Sequence, residues 1–122
     1  MIQSLILVAL GGAAGSVARF LTVTAAARVA GGWPWGTLAV NVAGSFAIGI
    51  ASILLAQRTH LPPLLIAGFL GGFTTFSAFS LDALRLWEAG QVAQAAAYVA
   101  ASVLLSLAAV ATGAALARSI AP

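Results

Sequence analysis

The sequence predicts an all-α membrane protein with four transmembrane helices. Three observations carry that prediction. Of 122 residues, 62% are apolar and only 6% are charged, whereas a globular domain carries about a quarter charged residues. The mean hydropathy is +1.12. The few charges also leave long uncharged stretches between Arg28 and Arg58, between Arg58 and Asp82, and between Glu88 and Arg118. With the apolar stretch from Ile2 to Ala27, interrupted only by Arg19, each suffices for the roughly 20 residues of helix that cross a bilayer. Backbone groups in hydrocarbon must be satisfied internally, so four spans of this length are helices rather than strands.

The first helix is predicted over 3–27. It has no basic leader, and Arg19 falls where a cleavable signal would hold its apolar run or cut site, so this segment is expected to be retained. Gly31-Gly32-Trp33-Pro34-Trp35 follows, a Gly/Pro turn whose tryptophans suit the headgroup region. The second helix is predicted over 35–56 and ends at the polar turn Gln57-Arg58-Thr59-His60. Pro62-Pro63 opens the third, predicted over 62–89, because proline is tolerated in a first turn. The fourth is predicted over 91–118. No linker or second domain is visible, so residues 1–122 read as one transmembrane domain.

Composition excludes several function classes. Without cysteine there is no disulfide framework, thiol nucleophile or thiolate metal site. The pI near 11.4 rests on five scattered arginines and no basic patch, which argues against nucleic acid as a partner. Asp82, Glu88 and His60 lie near predicted segment ends and do not converge as an enzyme site requires. A proton-coupled exporter needs an ionisable carboxylate deep in a span, and none is predicted there.

An even number of spans puts both termini and the 2–3 loop on one side of the membrane. Arg58 and Arg118 then face Arg28 and Arg85 across the bilayer. Orientation normally follows an arginine and lysine excess on one side. A balanced chain can insert both ways, and opposite copies can pair about a two-fold axis in the membrane plane.

Neutral donors recur at helical spacing. Thr37, Asn41 and Ser45 share one face of the second helix, and Tyr98, Ser102 and Ser106 share one face of the fourth. Such residues commonly bond between membrane helices; two aligned stripes can also line a polar path. Gly11-x-x-x-Gly15 and Ser45-x-x-x-Gly49 are close-approach patterns. Arg19 follows Gly15 by four residues on the same face and either snorkels or points at protein or a watery vestibule.

The third segment is the most informative. Two glycines followed by two β-branched threonines disfavour helix, and Ser77 and Ser80 offer hydroxyls to freed backbone groups. A break is expected near 71–76, where exposed carbonyls can hold a hard cation. Phe73, Phe76 and Phe79 recur at intervals of three, a pattern that serves core packing or presents electropositive ring edges to an anion. Conduction needs binding weak enough to release.

Taken together, the chain resembles the Fluc (CrcB-type) fluoride channels of bacteria along its whole length. The resemblance rests on Gly11-Gly12-Ala13-Ala14-Gly15-Ser16-Val17-Ala18-Arg19-Phe20, on Gly36-Thr37-Leu38-Ala39-Val40-Asn41-Val42-Ala43-Gly44-Ser45, and above all on Gly71-Gly72-Phe73-Thr74-Thr75-Phe76-Ser77-Ala78-Phe79-Ser80. Ala78 departs from the threonine often found there, and Phe20 from the usual tyrosine.

The resemblance implies an antiparallel, dual-topology homodimer with a broken third helix, embedded in the lipid of the cell inner membrane. It implies fluoride-selective passive export that lowers cytoplasmic fluoride, and a structural Na+ held by the backbone carbonyls of Gly71 and Thr74. Asn41, Phe76 and Phe79 are then pore residues, Tyr98, Ser102 and Ser106 a polar track with Thr75 and Ser77 nearby, and Arg19 a vestibule or structural residue. The alternatives are a small multidrug-type exporter and a non-transporting membrane assembly subunit.

Overall fold

The computed structural model describes residues 1–121 and is helical throughout apart from its connections. Four spans are long and apolar enough to cross a membrane: Ile2–Ala30, Trp35–Leu54, Pro62–Glu88 and Val92–Ile120.

Helix α1, Ile2–Ala30, runs past the expected end at 27. Arg28, Val29 and Ala30 do not oppose helix, and the chain turns only at Gly31, where φ is +73°. Helix α2, Trp35–Leu54, follows after a short turn in which the Trp35 N–H bonds the Trp33 carbonyl at 2.8 Å. It stops slightly before the expected 56.

The third span has three parts: a π-wound segment, Pro62–Leu70; a single turn α3, Gly71–Phe73; and helix α4, Phe76–Glu88. The π winding was not predictable from the apolar run, because hydrophobicity on all faces does not distinguish i→i+4 from i→i+5 bonding. Helix α4 ends at Gly90, with φ +81°; the Gly90 N–H bonds the Trp87 carbonyl and the Gln91 N–H bonds the Leu86 carbonyl. Only glycine adopts that conformation without strain. Helix α5, Val92–Ile120, completes the bundle.

Helix α2 packs chiefly on α5, and α1 chiefly on the π-wound segment. Lipid is as apolar as leucine, so packing in a bilayer depends on close backbone approach at small residues. A Cβ on Gly15 would overlap the Phe69 carbonyl, and one on Gly113 would overlap the Phe46 carbonyl. The buried apolar cluster is small and lies between α2, α4 and α5: Leu38, Phe79, Leu86, Ala95 and Tyr98. Most other large apolar side chains face outward, as expected where lipid is the solvent.

Candidate pore site

The site is organised by Thr74 and Thr75. Their backbones are extended, at φ −90°, ψ 157° and φ −152°, ψ 126° respectively. Non-helical geometry is confined to these two residues. The sequence placed the disturbance across 71–76, but Gly71, Gly72 and Phe73 remain helical. Gly72 sits against the Gly12 backbone and Ser16, an approach that a Cβ would obstruct.

Extension reroutes the local hydrogen bonds. The Thr75 N–H donates to Asn41 Oδ1 at 2.7 Å, and Asn41 Nδ2 donates to the Thr75 carbonyl at 2.9 Å. Thr75 Oγ1 accepts from the Ala78 N–H at 3.1 Å, which caps α4. Arg19 Nε donates to the Gly72 carbonyl at 3.0 Å, replacing the Phe76 N–H of a continuous helix. Thr75 N–H and Ala78 N–H are the donors that Gly71 and Thr74 carbonyls would receive in a regular i→i+4 ladder. Both are diverted.

A cleft of about 430 Å³ opens beside this point. Helix α2 contributes Asn41 and Ser45, the third span contributes Gly71, Thr74, Thr75, Phe76 and Phe79, and α5 contributes Ser102 and Ser106. Ser102 Oγ is buried and has no hydrogen-bond partner among the described residues. Thr22, Thr112 and Ser80 instead bond carbonyls four residues back on their own helices. An unpaired buried hydroxyl beside a cleft is a donor left for something else. No charged side chain lines this cleft among the described residues.

Three expected residues, Ser77, Arg19 and Tyr98, do not line this cleft. Ser77 is exposed and lies 3.3 Å from Thr75 Oγ1 rather than on the cleft. Arg19 acts on the Gly72 backbone from the α1 side.

Phe76 and Phe79 meet edge-on with centroids 5.4 Å apart, but their surroundings differ: Phe76 is 78% exposed and Phe79 only 8%. Phe79 packs on Tyr98 at 5.3 Å, and Tyr98 packs edge-on against Trp33 at 5.3 Å. Tyr98 therefore lies behind the phenylalanines rather than on the cleft. Its hydroxyl donates to Asp82 Oδ2 at 3.1 Å.

Asp82, expected only as a segment-end carboxylate, is brought to the site by this contact. It stands three positions after Phe79 and so shares a helix face with it, the one signal that could have placed it here. Beyond it a second cleft of about 320 Å³ is lined by Thr37, Asp82, Arg85 and the Trp33–Trp35 turn. The α2 stripe thus runs from one cleft to the other, with Thr37 at one end and Asn41 and Ser45 at the other.

No group of three or more His, Cys, Asp or Glu side chains that could hold a metal occurs among the described residues. The carbonyls of Gly71 and Thr74, whose regular helical donors are diverted, are neutral, hard oxygen donors. They suit a monovalent cation better than a divalent one, which usually recruits a carboxylate.

The family profile described as CrcB-like protein, Camphor Resistance (CrcB), matches residues 6–114. The fluoride-specific ion channel FluC of Paracoccus denitrificans (strain Pd 1222) is 54% identical over 115 residues, covering 93% of this chain and 93% of that protein. The protein of the same name from Rhizobium etli (strain CIAT 652) is 56% identical over 126 residues, covering 99% and 100%. That from Chelativorans sp. (strain BNC1) is 57% identical over 121 residues, covering 95% and 97%. Matched along nearly its whole length and built of four membrane-crossing helices, this chain is a multi-pass membrane protein that belongs to the CrcB family.

Proposed function

We propose that the protein is a fluoride-selective channel, not an enzyme, that passes fluoride down its electrochemical gradient out of the cell. The observation that carries this reading is the uncharged cleft at the Thr74–Thr75 interruption, with the unpartnered Ser102 hydroxyl at its wall. The relatives' shared name supplies the ion.

Fluoride is small and strongly hydrated. Donors from Asn41, Ser102 and Ser106 replace part of its water, while the ring edges of Phe76 and Phe79 attract it without the grip of an arginine. Pore width and donor number then favour fluoride over larger chloride.

The working unit in this reading is an antiparallel homodimer in the inner membrane. Phe76, 78% exposed in one chain, is covered by the opposite copy. A structural Na+ is held by the Gly71 and Thr74 carbonyls, whose helical donors are diverted to Asn41 and Thr75. The ion supplies positive charge to oxygens that would otherwise stay unpaired in a dry interior, at a cost of about 1–3 kcal/mol each.

Purified protein in liposomes, followed with fluoride and chloride electrodes, tests the function. Rapid fluoride efflux with chloride retained is expected. Equal efflux of both ions, or of neither, would overturn it.

The antiparallel assembly has its own test. Gln57→Lys with Thr59→Lys, beside Arg58, biases one loop and should force a single orientation, abolishing efflux when this variant is expressed alone. Co-expression with an oppositely biased variant should restore it. Full activity from the biased variant alone would exclude antiparallel pairing.

A further inference from the structure

We propose that Asn41 is a positioning residue for the third span: its amide holds Thr75 extended by pairing with both of that residue's backbone groups. This rests on the channel reading, where Asn41 also lines the pore, and adds a second and separable role to it.

The argument starts from bonding capacity. A side-chain amide has one acceptor oxygen and two N–H donors. Asn41 Oδ1 accepts the Thr75 N–H at 2.7 Å and Nδ2 donates to the Thr75 carbonyl at 2.9 Å. Only this orientation of the amide matches donor to acceptor at both positions; the flipped one would oppose like groups at each. The pattern is that of one hydrogen-bonded residue pair between antiparallel strands, with a side chain substituting for the second strand. Lipid offers an extended residue inside a span no hydrogen bonds, so its backbone must be satisfied from within the protein or its cleft.

The pairing explains why the chain stays extended here. Were Thr75 to become helical, its N–H would return to the Gly71 carbonyl and Asn41 would lose its partner in a partly buried position. Aspartate offers the acceptor but not the donor, serine is too short to span both groups, and alanine offers neither. The pairing also fixes the start of α4, since Thr75 caps that helix and Phe76 is its first residue. One Nδ2 hydrogen has no partner among the described residues on this cleft-lining side chain.

Amide hydrogen exchange at Thr75, resolved by NMR on the full-length protein in nanodiscs, tests the proposal apart from any ion flux. In Asn41→Ala the Thr75 N–H should exchange about tenfold faster, with α2 and α5 amides still protected. In Asn41→Asp it should stay protected, because the acceptor remains, although fluoride flux falls. A return of Thr75 to helical Cα and Cβ shifts, its N–H protected by the Gly71 carbonyl, would equally show that Asn41 held it extended. A residue serving only the pore would leave both exchange and shifts unchanged in both variants, and that result would overturn the proposal. If α2 and α5 also lose protection in Asn41→Ala, Asn41→Ser replaces it: shortening the side chain should release Thr75 alone, and retained protection at Thr75 with unchanged shifts would overturn the proposal. Absence of fluoride flux from the wild type would instead count against the channel reading and leave the exchange result standing.

Discussion

Phe76→Ile and Phe79→Ile are each expected to lower fluoride efflux about two- to tenfold while the protein stays folded. Isoleucine preserves apolar bulk but has no ring edge, and aromatic-edge attractions are worth about 0.5–1.5 kcal/mol in comparable pairs. The two sites should differ in stability. Phe76 is 78% exposed in the single chain, so its replacement removes few contacts within that chain and any stability lost comes from the pairing of copies. Phe79 is buried against Tyr98 within the apolar cluster, so Phe79→Ile should cost about 1–3 kcal/mol as well. Efflux by electrode and unfolding by circular dichroism separate the two effects. Wild-type efflux with either substitution would return that phenylalanine to simple packing.

The glycine pair gives an equally large contrast, Gly72→Ala against Gly71→Ala. A Cβ on Gly71 would lie 3.6 Å from the Ile66 carbonyl, an ordinary contact, whereas one on Gly72 would press on the Gly12 carbonyl and Ser16. Gly72 also presents the carbonyl that Arg19 holds. Gly72→Ala should therefore force α1 away from the interruption, at about 1–3 kcal/mol. The Gly71 and Thr74 carbonyls shift with it, and the purified protein should lose both bound Na+, measured by atomic emission, and fluoride efflux. Gly71→Ala should retain both, and so should Thr75→Ser, which keeps the capping hydroxyl. Wild-type sodium content in a non-conducting Gly72→Ala protein would separate the ion from the interruption.

Much of this was legible in the chain. Charge gaps gave the four spans, and the i, i+4 spacing of Thr37, Asn41 and Ser45 gave a stripe that does run between the two clefts. The break expected near 71–76 contains the interruption, which falls on the β-branched pair Thr74 and Thr75 while Gly71 and Gly72 stay helical. What remained hidden depends on contacts between distant residues. That Asn41 spends its amide on Thr75, 34 residues away, follows from how α2 lies against the third span. Asp82 looked like a segment-end carboxylate until Tyr98 of α5 was brought to it. Gly113 sits in an Ala-rich helix with no pattern to single it out, and only the approach of Phe46 makes it matter. The π winding of Pro62–Leu70 leaves no mark in a run that is apolar on every face.

The most direct test of the channel account is a planar-bilayer recording under bi-ionic conditions, with fluoride in different concentrations on the two sides and chloride varied independently. The account predicts a zero-current potential that follows the fluoride gradient and does not move when chloride is raised on one side, because the uncharged donors of Asn41, Ser102 and Ser106 and the narrow aromatic edge reward only the smaller ion. A zero-current potential that shifts with the chloride gradient as strongly as with the fluoride gradient would contradict it.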